Sequence, residues 1–248
     1  MISIVTGTLN RKSFLPGLIA NTVDACPRLE LILVDGGSTD GTLEFLRELQ
    51  HPRIKLIEVG RRSSYAHFMN LGIKASMYEH VCQWNDDVLL SNSWDEVIAE
   101  LDDKFDFYLF NWKDGNTQSI HDPEWLKGKG KENGWKLESE KPKGSIVVNY
   151  GIYSKKVFRA IGMYSSDYYH YQADGDMSER AWAFGFKAKE LWHIKVVSLT
   201  EWKEKRAVYR GEGHIPEMME PYRRNRELYG KKVLPSSLEF LTDDKAMR

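Results

Sequence analysis

Apolar positions follow two alternating rhythms over the first hundred residues. Short apolar runs at Ile2 to Thr6, Leu29 to Val34, Ile54 to Val59 and His80 to Trp84 read as strands. Between them, Phe14 to Asp24, Gly41 to Leu49 and Tyr65 to Ser76 carry helical spacing. Strand and helix in regular succession demand crossover connections, so the pattern predicts an α/β fold with a mainly parallel central sheet and helices on both faces. Ligands on such sheets bind at the carboxyl ends of the strands, which directs attention to the residues after Thr6, Val34, Val59 and Trp84.

The rhythm loosens beyond Trp94. Phe105 to Trp112 reads as a strand, and Lys113 to Ser145 is a long polar stretch with Trp125 and Trp135 embedded in it. Connections of that length inside a compact domain are usually functional or mobile. Ile146 to Tyr153 is expected as a strand, Lys155 to Ile161 and Met177 to Phe184 as helices, and Lys187 to Leu199 as the last strand. The charged sequence from Glu201 leads into a surface helix over Pro216 to Lys232.

Composition narrows the function classes. The 35 Lys and Arg balance 36 Asp and Glu across 248 residues, so no basic surplus points to nucleic acid. The 42% hydrophobic content is enough for a core without covalent staples. Cys26 and Cys82 lack metal-site spacing, which excludes a cysteine-ligated zinc and suits a reducing compartment. Charge-free runs such as Ser13 to Val23 stop short of the roughly 18 residues of a membrane span. No basic segment precedes an apolar one at the N-terminus. The expectation is a soluble, unprocessed, cytoplasmic chain, peripheral to a membrane if its acceptor is membrane-bound.

Three segments carry chemistry. Asp35-Gly36-Gly37-Ser38-Thr39-Asp40-Gly41-Thr42 lies between a strand and a helix, where its glycines permit a tight turn and Asp35 sits at the strand tip. It reads either as a ligand-binding turn or as a plain connection capped by Thr39 or Asp40. Asn85-Asp86-Asp87 follows the fourth strand. Adjacent carboxylates repel, and hard oxygen ligands suit Mg²⁺ or Mn²⁺ on a diphosphate; the plainer reading is a solvated acidic turn. Asp174-Gly175-Asp176 precedes the Met177 helix, so either Asp is an N-cap or a general base toward a hydroxyl.

Taken in order, these segments resemble the family 2 glycosyltransferases of GT-A fold. Thr6-Gly7-Thr8-Leu9-Asn10-Arg11 looks like the family's nucleotide-side opening, and Asp35 to Thr42 matches its D-[DG]-G-S-x-D-x-T turn. Asn70, Gly72 and Ala75 are similar to its A-R-N-x-G helix, Asn85-Asp86-Asp87 to its D-x-D motif, and Asp174-Gly175-Asp176 with Arg180 to its E-D-x-D-x-x-x-R segment. The resemblance covers roughly residues 1 to 200. It implies an inverting transfer of a sugar from a nucleotide-diphosphate sugar to a hydroxyl-bearing glycan or glycoconjugate. By resemblance, Thr8, Asn10, Arg11, Asp35, Asn70 and Asp86 serve the donor nucleotide, and Arg61 is read toward it from its place at the tip of the third strand. Asp87 with Asp86 holds a divalent cation, Mn²⁺ or Mg²⁺, and Asp174 is the base. His214, in a glycine-flanked loop, is a further metal ligand or merely exposed. Asp176, Tyr169 and Trp182 are read toward the acceptor or as ordinary packing.

Departures from the family pattern fall at Gly36, Met69, Asn85 and Ala173, with Arg61 and Arg62 able to meet phosphates in place of the missing helix arginine. They leave two rivals: a catalytically silent sugar- or nucleotide-binding protein of the same fold, and a nucleotidyltransferase, although Thr6 to Arg11 lacks a glycine-rich basic loop. The expected organisation is a glycosyltransferase domain over 1–205, with a donor half to about 100 and an acceptor half beyond it, then a helical extension over 206–248.

Overall fold

The computed structural model describes residues 1–127, 148–199 and 215–242. Strands β1 (Ile2–Thr8), β2 (Leu29–Asp35), β3 (Ile54–Glu58), β4 (His80–Gln83), β5 (Val88–Leu90), β6 (Phe107–Asp114), β7 (Gly151–Ser154) and β8 (Ala188–Ser198) form one sheet in the order β3-β2-β1-β4-β7-β6-β8-β5. β1 to β4 are mutually parallel, as the alternating rhythm predicts, and β6 is parallel to β8. The second half breaks the pattern. β7 runs antiparallel to both β4 and β6, and β5 antiparallel to β8.

Helices α1 (Leu15–Asn21), α2 (Thr42–Leu49), α3 (Tyr65–Ala75), α4 (Trp94–Ala99), α5 (Lys155–Ile161), α6 (Ala173–Ala183) and α7 (Ile215–Gly230) complete the described fold. Alternation along the strands sends side chains to two cores, as the period of two requires. Ile2, Ile4, Leu31, Leu33 and Trp84 meet α1, α2 and α4 on one face. Val5, Ile32, Val34, Val81 and Tyr153 meet α3, α5 and α6 on the other. Gly72 lets α3 lie close on β1, since a Cβ there would sit 2.2 Å from Val5 Cγ1.

Several boundaries differ from the sequence reading for identifiable reasons. α1 ends at Asn21 because the Thr22 hydroxyl donates back to the Leu18 carbonyl at 2.7 Å and the chain turns through Cys26. α4 opens on a reciprocal capping box between Ser93 and Glu96. α6 begins at Ala173, four residues before the expected Met177, with Gln172 at its N-cap in a left-handed conformation (φ 68°). Asp174 and Asp176 therefore lie inside the first turn, where the helix dipole favours negative charge, and neither is the cap. Of the expected strand Ile146 to Tyr153, residues 146 and 147 lie outside the described residues, and β7 starts at Gly151.

α7 is fastened to α6 by side chains of opposite character. Tyr222 donates to Glu179 Oε1, Arg226 pairs with Glu179 at 2.9 Å, and Tyr229 donates to Asp176 Oδ1 at 2.6 Å. Among the described residues no helix is long and apolar enough to cross a membrane.

Candidate active site

The carboxyl ends of β1 to β4 converge on one edge of the sheet. Thr8 and Asp35 are register partners at the tips of β1 and β2, and the Gly36 amide donates to the Thr8 carbonyl at 2.9 Å. Asp35 is fully buried and holds its own turn: Oδ1 accepts from the amides of Gly37 (2.7 Å) and Ser38 (3.0 Å), and Oδ2 from the Ser38 hydroxyl. The carboxylate thus shapes the turn rather than standing open to solvent. Gly37, at φ 89°, is forced by close approach, because a Cβ would meet the Gly60 carbonyl at 2.9 Å. That contact seats the loop after β3, with exposed Arg61, against the loop after β2.

The β1 loop is locked to the same turn. Asn10 takes a left-handed conformation (φ 55°), its Oδ1 accepts from the Thr39 amide at 2.8 Å, and its amide donates to Ser38 Oγ at 2.9 Å. The Arg11 amide donates to Thr42 Oγ1 at 3.3 Å. At the start of α2 it is Asp40, not Thr39, that accepts from the Thr42 amide, at 3.1 Å.

The acid pair stands immediately beyond β4. Thr8 Oγ1 donates to Asp86 Oδ2 at 2.8 Å, and the neighbouring Asp87 is buried with only 4% exposure. Burial first, and then the charge of Asp87, push the Asp86 carboxyl up to about 7, while Arg11 and the Thr8 hydroxyl pull it back. Two carboxylates that resist joint ionisation, and that offer only hard oxygens, fit a divalent cation. Among the described residues no group of three or more His, Cys, Asp or Glu is placed to hold a metal. His214 lies outside the described residues.

A wall of aromatic and amide groups runs from the acid pair to α6. Asn85 Nδ2 donates to the Tyr150 hydroxyl at 3.4 Å, and burial, followed by the Asp87 charge, drives that hydroxyl's pKa upward. Tyr150 packs edge-on against Trp112, with ring centroids 5.6 Å apart. An indole N–H only donates and a carboxylate only accepts, so the Asn149 amide has one satisfying orientation. Its oxygen accepts from Trp112 Nε1 at 3.3 Å and its nitrogen donates to Asp174 Oδ2 at 2.7 Å. Asp174 Oδ1 accepts from the Gly175 amide at 2.8 Å. Tyr65, at the start of α3, has its hydroxyl pushed upward by burial and then by the Asp174 charge, which places α3 beside the same carboxylate.

The remaining expected residues lie elsewhere or are otherwise occupied. Asn70 is buried and bridges to Tyr164, donating to its carbonyl and accepting from its amide, each at 2.9 Å. Asp176 is 1% exposed and saturated: Arg180 pairs with Oδ2 at 3.0 Å, and Oδ1 accepts from Tyr168 (2.9 Å), Tyr229 (2.6 Å) and Asn225 (3.4 Å). It offers no free oxygen to an acceptor. Trp182 is exposed but sits eight residues along α6 from Asp174, about 12 Å by helical rise. It shares a shallow depression with Phe105 and Phe186 near the start of β6, at the opposite edge of the sheet. Tyr169 is exposed, and its carbonyl accepts from the Tyr65 amide at 2.7 Å, which keeps it near the start of α3. Asn149, Trp112, Tyr150 and Tyr65 were missed by the sequence reading, in which the first three fall inside expected strands and Tyr65 opens an expected helix.

An open sheet whose first four strands deliver a nucleotide-type turn and an acid pair to one edge is the GT-A arrangement. The profile of glycosyl transferase family 2 matches residues 3–159, more than half of the chain, and the chain belongs to that family. No curated protein sequence matches it. Among solved structures it is similar to the mannosyltransferase PcManGT of Pyrobaculum calidifontis, in complex with GDP-Man and Mn²⁺, with a TM-score of 0.63 and 15% identity over 90% of this chain and 64% of that one. It is also similar to TarS residues 1–349 of S. aureus. The complex with UDP gives a TM-score of 0.60 and 14% identity over 84% and 63% of the two chains. The complex with UDP-GlcNAc gives 0.59 and 14% over 81% and 58%. The chain spans less than two thirds of each of these proteins.

Proposed function

We propose that the protein is an inverting, divalent-cation-dependent glycosyltransferase that moves a sugar from a nucleotide-diphosphate sugar to a hydroxyl on a glycan or glycoconjugate. The observation that carries this reading is the single wall, Asn85–Tyr150–Trp112–Asn149, joining the acid pair at β4 to the Asp174 carboxylate in the first turn of α6.

The loops after β1 and β2, with Thr8, Asn10 and Arg11, form the nucleoside side of the donor site. Arg61 stands at its rim, where a guanidinium suits a diphosphate. Asp87, with Asp86, would hold the cation, which when bound neutralises the charge developing on the departing diphosphate. Asp174 takes the proton of the acceptor hydroxyl while that oxygen attacks the anomeric carbon. The bond to the diphosphate oxygen breaks on the opposite face, so the configuration inverts. Residues up to about 100 then form the donor half. The acceptor side draws on α6, Tyr169 and the stretch from Lys113, whose part from residue 128 to 147 lies outside the described residues.

The test is a thermal-shift panel of UDP-glucose, UDP-GlcNAc and GDP-mannose with and without Mn²⁺, since a ligand bound only by the folded state raises its apparent stability. At least one sugar nucleotide is expected to stabilise the protein more with Mn²⁺ than with EDTA. Flat melting curves across the panel in both conditions count against the donor site.

A further inference from the structure

We propose that Asn149 is a positioning residue for the reaction, holding Asp174 ionised and aimed; the proposal rests on the reading of Asp174 as the base. Trp112 decides the matter sterically and chemically. Its indole nitrogen can only donate, so the Asn149 oxygen must face it, at 3.3 Å, and the amide nitrogen must then face Asp174 Oδ2, at 2.7 Å. An amide held this way donates to a carboxylate and cannot accept from a carboxylic acid. It therefore favours the charged form of Asp174, as does the Gly175 amide on the other oxygen at 2.8 Å. The two donors sit on different oxygens, one from α6 itself and one from the segment leading into β7, so together they fix the plane of the carboxyl group. An unheld aspartate turns freely about its last bond.

The Tyr65, Tyr153 and Tyr164 hydroxyls, from α3, β7 and the chain before α6, feel its charge, and burial is the main reason each of them stays protonated. Asp176, two residues on, is turned into the α7 contact and neutralised there by Arg180. Asn149 donates to the carboxylate from outside α6, and it reaches Asp174 rather than any reacting atom. Its role is to act through the base.

The experiment titrates the Asp174 carboxyl by ¹³C NMR of aspartate-labelled full-length protein, the resonance being assigned by its loss in Asp174→Asn. In Asn149→Ala the titration is expected to move up by about one pH unit through loss of the donated bond, and in Asn149→Asp by more, because a second carboxylate replaces the donor. Asn149→Gln, which keeps the amide, should return part of the shift. Hydrolysis of whichever sugar nucleotide the thermal-shift panel selects should fall in kcat in step with these shifts, with donor KM within about twofold. An unmoved titration in folded Asn149→Ala overturns the proposal. Where Asn149→Asp fails to fold, Asn149→Ala alone decides. Near-normal turnover in Asp174→Asn overturns the base assignment instead, and that outcome is read independently of the Asn149 variants.

Discussion

The Thr8 hydroxyl at the tip of β1 donates to Asp86 Oδ2 just beyond β4, at 2.8 Å and across 78 residues of sequence. This bond ties the loop that opens the fold to the acid pair, and it partly offsets the burial and the Asp87 charge that hold the Asp86 carboxyl up at about 7.

A pH dependence with a definite sign results. Between about 4 and about 7, Asp86 keeps a proton in the folded state that the unfolded chain has already lost, so the stability tied to it falls as pH rises through that window. Thermal unfolding in EDTA should show a midpoint that declines from pH 5 to pH 7.5 more steeply in the natural protein than in Asp86→Asn. Parallel curves for the two proteins would remove Asp86 from the account.

Asp87 lies in the other half of the pair, and its loss should be felt through the cation. Asp87→Ala is expected to weaken donor binding in Mn²⁺ by at least about tenfold, the scale of one lost charge-assisted contact, and to leave the weaker binding in EDTA nearly unchanged. Calorimetric titration in the two buffers checks this. Equal affinities for variant and natural protein in Mn²⁺ would contradict the assignment.

Asp174→Asn preserves shape and removes the basic oxygen. Transfer should fall by two to four orders of magnitude, roughly what a general base contributes, with donor binding retained. Single-turnover release of nucleoside diphosphate measures the first, and the thermal shift with donor measures the second. A variant that turns over normally has another base.

Asp176→Ala should behave in the opposite way. It leaves the fully enclosed Arg180 guanidinium without its carboxylate and strips the Tyr229 and Tyr168 hydroxyls of their acceptor. A cost of about 3–5 kcal/mol is expected in urea unfolding, in line with breaking other buried pairs. A loss below about 1 kcal/mol would mean that α7 is held by other contacts.

The contrast between these two aspartates shows where the sequence was readable. Apolar runs set the parallel half, and the Asp35 turn and the Asp86-Asp87 pair stood out because their residue types are costly anywhere but a turn or a site. Asp174 and Asp176 were placed ahead of a helix, where both could face the ligand. Inside α6, two residues are about 200° of rotation, so one carboxylate faces Asn149 and the other faces α7. The helix boundary alone decides between those fates, and it is set by Gln172 in a left-handed turn that no propensity favours. β5 escaped notice because three residues show no period, and Trp182 was read toward the acceptor although helical rise carries it to the far end of α6. Asn149 offered no pattern at all, since its meaning comes from an indole on another strand.

The fastening of α7 onto α6 bears on how the protein is made. Tyr229 lies 53 positions after Asp176, and Ser237 lies 70 after Asp167, which it also bonds. A ribosome that has just completed α6 has therefore produced the proposed base but not the clamp behind it. The helix waits for α7 to emerge before its charged underside is closed, so the chemistry of Asp174 should be acquired only after α7 has been made.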